Sequence, residues 1–418
     1  MAHSSPNKYK ILSLDGGGVW SLIQVKALKA IFGDVKGLEV LGHFDLVVAN
    51  SGGSLVAAGL AEDYSLSDIE HLFLDREIRS KVFAPIGFWQ RDWVTRLTRL
   101  FNIGPKYSAE AKYRGLQLLL PTLSQMPLTA VPARVPGPRR PHFLIVAFDY
   151  YRNRARFFRS NMGSAAKSYN LLHKRRGNVK RLPEPATFVQ AVHAATNAPV
   201  NYFDKPAQLT FHIGDREVRR HYWDGAIGGY NNPVLAAVVE AISNGIAPAD
   251  LHVLSIGTGI KYLPKQDVFS TAYEELVIRF DKPDFTKDLI KMTSAILGDP
   301  PDAASFMSYT ILEPQLPARS SRFVRISPVI QPRLTVLDGV PTWDVPAEFS
   351  FPEFNRLLHL DMDAVRDEDV ALIDRLAGYW LSGDMLNQPI RNDKYLRCLL
   401  GHNTFSEALD DLKTWILD

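Results

Sequence analysis

Short apolar runs and stretches with helical spacing alternate along the first 260 residues. Short runs bounded by turn residues are typical of buried strands, and apolar positions three or four apart are typical of helices. Strands are predicted at residues 9–14, 44–49, 143–148, 209–213, 218–223 and 251–256, and helices at 19–32, 53–61 and 185–195. A further helix is predicted with Asn232 as N-cap, Pro233 in its first position and Gly245 after its end. Because strands and helices alternate through short turns, we predict an α/β fold with a mostly parallel sheet flanked by helices.

Beyond about residue 265 the pattern is mainly helical. Helices are predicted at residues 272–280, 287–297, 363–381 and 404–417, with one strand at 323–326. We therefore predict one α/β domain over residues 9–330, whose motif-bearing core is 9–260, and a helical C-terminal region over 331–418 packed on it.

Composition narrows the class of protein. The 418 residues are 46% hydrophobic and 22% charged, which is ordinary globular usage and excludes wholesale disorder. A single cysteine, Cys398, excludes an internal disulfide and a multi-cysteine zinc site, and no H-E-x-x-H spacing occurs. We expect no metal, no cofactor and, without a signal-peptide or membrane-helix pattern, a cytoplasmic location.

Positive charge is concentrated in one segment. Residues 134–181 contain 13 Lys or Arg and one acidic residue, Asp149, whereas the whole chain carries only +3. A segment with this much positive charge attracts the phosphate of lipid headgroups, nucleotides or nucleic acid. A solvated basic hairpin that contacts nothing is the alternative interpretation, and composition alone leaves both open.

Three turns carry candidate chemistry. Ser51 lies between a predicted strand and a helix of small residues, as in a nucleophile elbow, although a serine that caps a helix gives the same pattern. The loop Asp15-Gly16-Gly17-Gly18 offers backbone amides to an anion, either a phosphate or the oxyanion of acyl transfer. It matches neither common phosphate-loop pattern.

The third turn follows Asp224, which ends a predicted strand. A carboxylate there can take a proton from a nearby serine, although an aspartate before glycine usually just forms a turn. Of the later histidines, His252 lies within a predicted core strand, and His359 and His402 belong to no motif. The absence of a suitable histidine favours a site of two residues, a serine and an aspartate.

In combination these segments resemble the patatin-like phospholipases. The segments that carry the resemblance are Asp15-Gly16-Gly17-Gly18, Asn50-Ser51-Gly52-Gly53, the Ala-rich stretch from Ala191 to Phe203, Asp224-Gly225-Ala226, Asn231-Asn232-Pro233 and the strand from Leu254 to Gly259. They follow the family's order over roughly residues 9–260, which makes the set more specific than any single motif.

The resemblance implies a patatin-like three-layer fold and phospholipase A-type hydrolysis of fatty-acyl esters. It implies that Ser51 is the acyl-accepting nucleophile and Asp224 its base, without a histidine. The oxyanion donors implied by the resemblance are the backbone amides of Gly16, Gly17, Gly18 and Gly52. The implied substrate is a phospholipid or another acyl-ester lipid, and some bacterial members of the family need a small-molecule or protein activator.

The basic hairpin after residue 149 adds a membrane-surface hypothesis. Its arginines alternate with aromatic residues and are predicted to contact anionic lipid, while nucleic acid is not expected. The predicted contacts are Arg152, Arg154, Arg156 and Arg159.

Two departures from the family pattern leave other functions open. Trp20 stands where the family usually has a basic residue, and Ala49 replaces the first glycine of the elbow. The alternatives are an acyltransferase that uses the same dyad, and a catalytically silent or activator-gated protein that binds an anion or nucleotide.

Overall fold

The computed structural model describes residues 8–86, 104–161, 185–213, 216–262, 285–337, 340–392 and 398–417. Its strands are β1 (Tyr9–Leu14), β2 (Leu46–Asn50), β3 (His142–Asp149), β4 (Arg154–Arg159), β5 (Ala207–Ile213), β6 (Arg216–Asp224), β7 (Leu251–Ile256), β8 (Ile260–Lys261), β9 (Phe323–Ile326), β10 (Val329–Ile330), β11 (Arg333–Leu337), β12 (Val340–Asp344), β13 (Arg391–Asn392) and β14 (Cys398–Leu400). Its α-helices are α1 (Leu22–Phe32), α2 (Gly37–Leu41), α3 (Ser51–Glu62), α4 (Leu66–Leu74), α5 (Arg76–Val82), α6 (Ala109–Leu119), α7 (Pro121–Gln125), α8 (Phe188–Ala195), α9 (Val234–Ser243), α10 (Phe285–Leu312), α11 (Phe351–His359), α12 (Asp367–Leu381) and α13 (Phe405–Lys413). Short 3-10 helices span Gly18–Ser21, Leu128–Arg134, Gly225–Gly228 and Pro248–Asp250.

One large sheet has the strand order β5-β6-β3-β2-β1-β7-β9, with β4 paired to β3. The strands from β3 across to β9 are parallel, whereas β4, β5 and β6 form antiparallel pairs. The first part of β3 pairs with β2 up to Asn50, and its last part pairs with β6, where Asp224 lies opposite Ala147. The mostly parallel sheet is confirmed, and its topology brings the ends of β1, β2 and β6 to one edge.

Helices cover both faces of this sheet. Side chains along a strand point alternately to opposite faces, so each central strand contributes to two apolar cores. Leu12 and Val47 face the core formed with α1, α3, α8 and α12, while Ile11 and Val48 face the core formed with α9 and the end of α10. Both faces are therefore buried, as a three-layer fold requires.

Several predicted elements have the expected bounds, and others shift. The strands at 9–14, 251–256 and 323–326 are confirmed, whereas the helix predicted at 19–32 begins as a 3-10 turn before α1. The predicted capping of α9 is wrong by one position. Pro233 is the N-cap, and Asn232 Oδ1 accepts a hydrogen bond of 3.0 Å from the Val234 amide.

The C-terminal part is less helical than predicted. Helices α11, α12 and α13 are present, but β11 pairs with β12 and β13 with β14. The helix predicted at 287–297 lies within the longer α10, and the one predicted at 272–280 lies outside the described residues. Ile373, Trp380 and Phe405 belong to the same apolar core as the sheet, so α12 and α13 pack directly on the α/β layer.

Candidate active site

Ser51 occupies the junction between β2 and α3 in a strained backbone conformation. Its φ is +46°, a left-handed value that a residue with a side chain adopts only when its surroundings impose it. A Cβ built on the next residue, Gly52, would lie 2.3 Å from Ser21 Oγ and 2.7 Å from the Gly18 nitrogen. Only glycine fits there, so the tight turn is built into the packing around Ser51.

The alanine before this turn is accommodated without displacing it. Ala49 is fully buried, and its methyl group belongs to the apolar core on the α1 and α3 side of the sheet. Ala49, in place of the family's elbow glycine, therefore adds an apolar contact to the core next to Ser51.

Asp224 lies at the end of β6 and is 2% exposed. Its Oδ1 accepts hydrogen bonds from the Ala226 amide at 2.9 Å and from Asn50 Nδ2 at 3.1 Å. Burial raises the pKa of this carboxyl, and the bonds from Ala226, Ser51 and Asn50 act in the opposite direction by favouring the charged form. The bond from Asn50, the residue before Ser51, thus brings the two sequence-predicted residues Ser51 and Asp224 to the same sheet edge.

A buried lysine is linked to Asp224 through residues 196 and 197. Lys112 on α6 is fully buried, and its Nζ donates to the His193 carbonyl and to Thr196 Oγ1, both at 3.0 Å. The adjacent Asn197 carbonyl accepts the Asp224 amide at 3.0 Å. Burial lowers the pKa of Lys112 well below its usual value, and the charge of Asp224 opposes that shift. Sequence reasoning missed this residue because nothing in the pattern of α6 distinguishes it.

The glycine loop lies against Ser51. A Cβ on Gly16 would lie 2.9 Å from the Ser51 Cβ, but the Gly16 amide is already donated to the Asn231 carbonyl at 2.7 Å. Within the described ranges, the Gly17 and Gly18 amides have no hydrogen-bond acceptor. Of the three loop glycines predicted as oxyanion donors, Gly17 and Gly18 are therefore the two with amides available.

A buried ion pair holds the base of this loop. Arg325 on β9 contacts Asp15 with Nη2 2.6 Å from Oδ2, and its guanidinium also donates to Ser255 Oγ and Gln388 Oε1. Burial raises the pKa of Asp15, while the positive charge of Arg325 lowers it. An arginine within a predicted core strand was the signal in the sequence for this buried contact, which was not predicted.

The four predicted lipid-contacting arginines divide into two groups. Arg159 is held by Glu240 through bonds of 2.8 and 2.9 Å, so it forms an internal ion pair. Arg152, Arg154 and Arg156 are exposed on the turn 150–153 and on β4. Because this turn follows the carboxyl end of β3, it extends beyond the sheet edge at which Ser51 lies.

A narrow apolar pocket of about 40 Å³ lies beside the nucleophile helix. Leu55, one turn after Ser51, and Val19, next to the glycine loop, line it together with apolar side chains of α4, α5 and α6. The pocket therefore lies close in sequence and structure to both the nucleophile helix and the glycine loop.

In the part of the chain that the structure describes, no group of three or more His, Cys, Asp or Glu side chains is arranged to hold a metal ion. None of the helices in that part is long and apolar enough to cross a membrane.

A strained serine at a helix start, a buried aspartate and a glycine loop on a mostly parallel sheet define an α/β protein with the architecture of an acyl-ester hydrolase. A family model described as patatin-like phospholipase matches residues 12–238, more than half of the chain, and the chain belongs to this family. Membership supports lipid acyl hydrolase activity in general.

Comparison with individual proteins adds little. No curated protein matches the sequence. Among solved structures, VipD from Legionella pneumophila aligns with a TM-score of 0.32 and 10% identity, over 90% of this chain and 67% of VipD.

Proposed function

We propose that this protein is a phospholipase A-type acyl hydrolase in which Ser51 is the nucleophile and Asp224 its general base. The observation that carries the proposal is a strained serine at a helix start whose preceding residue, Asn50, binds the buried carboxylate of Asp224, in a chain of the patatin-like phospholipase family. The substrate is a phospholipid or a related lipid with a fatty-acyl ester.

The two oxygens of Asp224 have different tasks in this mechanism. Oδ1 is engaged by Asn50 and Ala226, which orients the carboxylate and leaves its second oxygen for the Ser51 hydroxyl. As Ser51 Oγ attacks the ester carbonyl carbon, its proton moves to Asp224. The amides of Gly17, Gly18 and Gly52 stabilise the oxyanion, supported by the positive end of the α3 dipole.

Collapse of the tetrahedral intermediate gives an acyl-Ser51 and releases the alcohol, which takes the proton from Asp224. Water then attacks the acyl carbon while Asp224 accepts its proton. The second intermediate releases the fatty acid and returns the proton to Ser51 Oγ. The pocket lined by Val19 and Leu55 provides apolar surface for the start of the acyl chain.

Labelling with a fluorophosphonate, followed by intact mass and peptide mapping, tests the nucleophile without a guess at the substrate. We expect one adduct, on Ser51, absent from Ser51→Ala and much slower in Asp224→Asn. Ser308→Ala is the matched control, since Ser308 is a fully buried serine on α10, away from the site. A folded wild-type protein that forms no adduct, or an adduct that persists in Ser51→Ala, would refute the assignment.

The turn 150–153 suits docking to an anionic lipid surface. Tyr150 and Tyr151 are 47% and 64% exposed, and Arg152 and Arg154 lie beside them. Tyrosine rings and arginines together favour the interface between water and anionic headgroups. The position of the turn beyond the Ser51 edge would hold the site against the membrane.

Vesicle sedimentation tests this docking surface. A double substitution, Arg152→Gln with Arg154→Gln, should weaken binding to anionic vesicles by roughly 30-fold, from about 1 kcal/mol for each arginine. Arg114→Gln is the matched control, because Arg114 is equally exposed and lies on α6. Unchanged binding of the double variant would contradict the docking surface.

A further inference from the structure

Residues 360–363 are the first part of the connection between α11 and α12, and we call them the strap. They lie outside residues 12–238, which match the family model. Their backbone nevertheless runs directly against the glycine loop, where a Cβ on Gly18 would lie 2.2 Å from the Met362 carbonyl oxygen. Gly18 has a φ of +58°, so both its conformation and its contact with the strap require glycine.

Three successive strap carbonyls accept hydrogen bonds from residues around the loop. The Val19 amide donates to Met362 O at 2.9 Å, and the Trp20 indole Nε1 donates to Asp361 O at 3.2 Å. Lys261 Nζ donates to Leu360 O at 2.9 Å and lies 5.5 Å from the centre of the Trp20 ring. These bonds join three elements that are far apart in the sequence.

The strap is itself anchored to the body of the protein. Asp363 is buried, and its Oδ2 accepts hydrogen bonds from Tyr107 Oη at 2.7 Å and Lys106 Nζ at 2.9 Å. The carbonyls presented to the loop therefore have a fixed position. A mobile segment would not define the loop geometry in this way.

These contacts hold the glycine loop at both ends. The Gly16 amide is held by the Asn231 carbonyl and the Val19 amide by Met362, and between them lie the amides of Gly17 and Gly18. Oxyanion stabilisation requires donors placed in advance at the position where negative charge develops. One of the two fixed points comes from the strap.

We propose that the strap positions the glycine loop for oxyanion binding. In this proposal Trp20, which stands where the family has a basic residue, is the positioning residue that connects the glycine loop to the strap. The inference rests on the proposed function of Ser51. It also accounts for Trp20, because an indole supplies both an N–H for the strap carbonyl and a ring that Lys261 covers.

Trp20→Phe is the direct test, since it keeps an aromatic ring and removes the N–H. Trp415→Phe is the matched control, because Trp415 is buried and its Nε1 donates to the Ser321 carbonyl at 2.7 Å, away from the loop. We expect Trp20→Phe to slow fluorophosphonate labelling of Ser51 and to lower kcat on an acyl ester by about 10- to 100-fold, with KM little changed. Trp415→Phe should label at the wild-type rate.

Hydrogen exchange gives a readout that does not depend on activity. Amides in a peptide covering residues 15–20 should exchange faster in Trp20→Phe than in the wild type, and Trp415→Phe should not show this change. Lys261→Met changes an exposed residue and should also lower the rate of fluorophosphonate labelling of Ser51. This second variant tests the proposal if Trp20→Phe does not fold.

The outcomes separate the two proposals. Wild-type protein labelled on Ser51, with Trp20→Phe and Lys261→Met labelled equally fast, would overturn the strap alone. Wild-type protein without an adduct would refute the proposed nucleophile, and unchanged exchange of residues 15–20 in Trp20→Phe would then overturn the strap as well.

Discussion

Replacing Arg325 with methionine leaves a buried carboxylate without its charge partner. The side chains of Asp15 and Arg325 are 5% and 4% exposed, so water cannot take the place of the guanidinium. Arg325 donates four hydrogen bonds, one to Asp15, one to Ser255 and two to Gln388. Methionine fills part of the volume and supplies none of these bonds.

The expected loss follows from this burial. Removal of one partner from a buried ion pair costs about 3–5 kcal/mol, a large part of a typical folding free energy of about 5–15 kcal/mol. Adding Asp15→Asn removes the stranded charge, so the double variant should regain about 1–3 kcal/mol relative to Arg325→Met. Arg319→Met, which breaks an exposed pair with Asp411, should cost about 1 kcal/mol or less.

The pH dependence has a definite sign. Burial raises the folded-state pKa of Asp15, and loss of the positive charge of Arg325 raises it further. Between the unfolded and the raised folded pKa, the folded state binds more protons than the unfolded state. The unfolding free energy of Arg325→Met should therefore fall as pH rises through this window and recover on acidification.

Urea denaturation followed by tryptophan fluorescence measures these differences. The four proteins are the wild type, Arg325→Met, the double variant and Arg319→Met, compared at pH 5 and pH 8. A loss below about 1 kcal/mol in Arg325→Met, or a double variant no more stable than the single one at pH 8, would refute the reasoning.

Three further predictions concern the candidate site. Asn50→Ala removes one of two donors to Asp224 Oδ1, so Ser51 labelling should slow about 10-fold; an unchanged rate would show that Asn50 does not orient the base. Lys112→Met removes a buried charge that favours ionised Asp224, so the acidic limb of the pH–rate profile should shift to higher pH, and a fixed limb would contradict this coupling. Gly52→Ala should cost about 1–3 kcal/mol in urea denaturation because its Cβ would overlap Ser21, and a wild-type midpoint would disprove that overlap.

Local pattern was sufficient for the elements that form the sheet. The strands at 9–14 and 251–256 were predicted with their observed bounds, because apolar runs next to turn residues need no information from elsewhere in the chain. Ser51, Asp224 and the glycine loop were predicted from the set of motifs that resembles the family. The parallel strands β1 and β2 bring the glycine loop and Ser51 to one edge, whereas Asp224 lies there because β6 pairs antiparallel with the last part of β3.

The helix predicted at 287–297 is much shorter than α10, which continues through Pro300 and Pro301 to Leu312. A proline usually ends a helix, so the local sequence argues against this continuation. Asn232 Nδ2, from the residue before Pro233, donates to the Pro301 carbonyl at 3.1 Å. This tertiary contact holds the proline-containing part of α10 against the start of α9, and local sequence does not contain that information.

The sequence alone determined the order of elements and the mostly parallel sheet, since both depend on short-range patterns, and its combined motifs indicated the residues that meet at the edge of the sheet. The tertiary structure decided which residues hold the glycine loop and its neighbours in place. Arg325 is 310 positions from Asp15, and Asp361 is 341 positions from Trp20. Side chains and carbonyls at such separations become partners only when the layers pack, because neither periodicity nor turn chemistry relates residues so far apart in the chain.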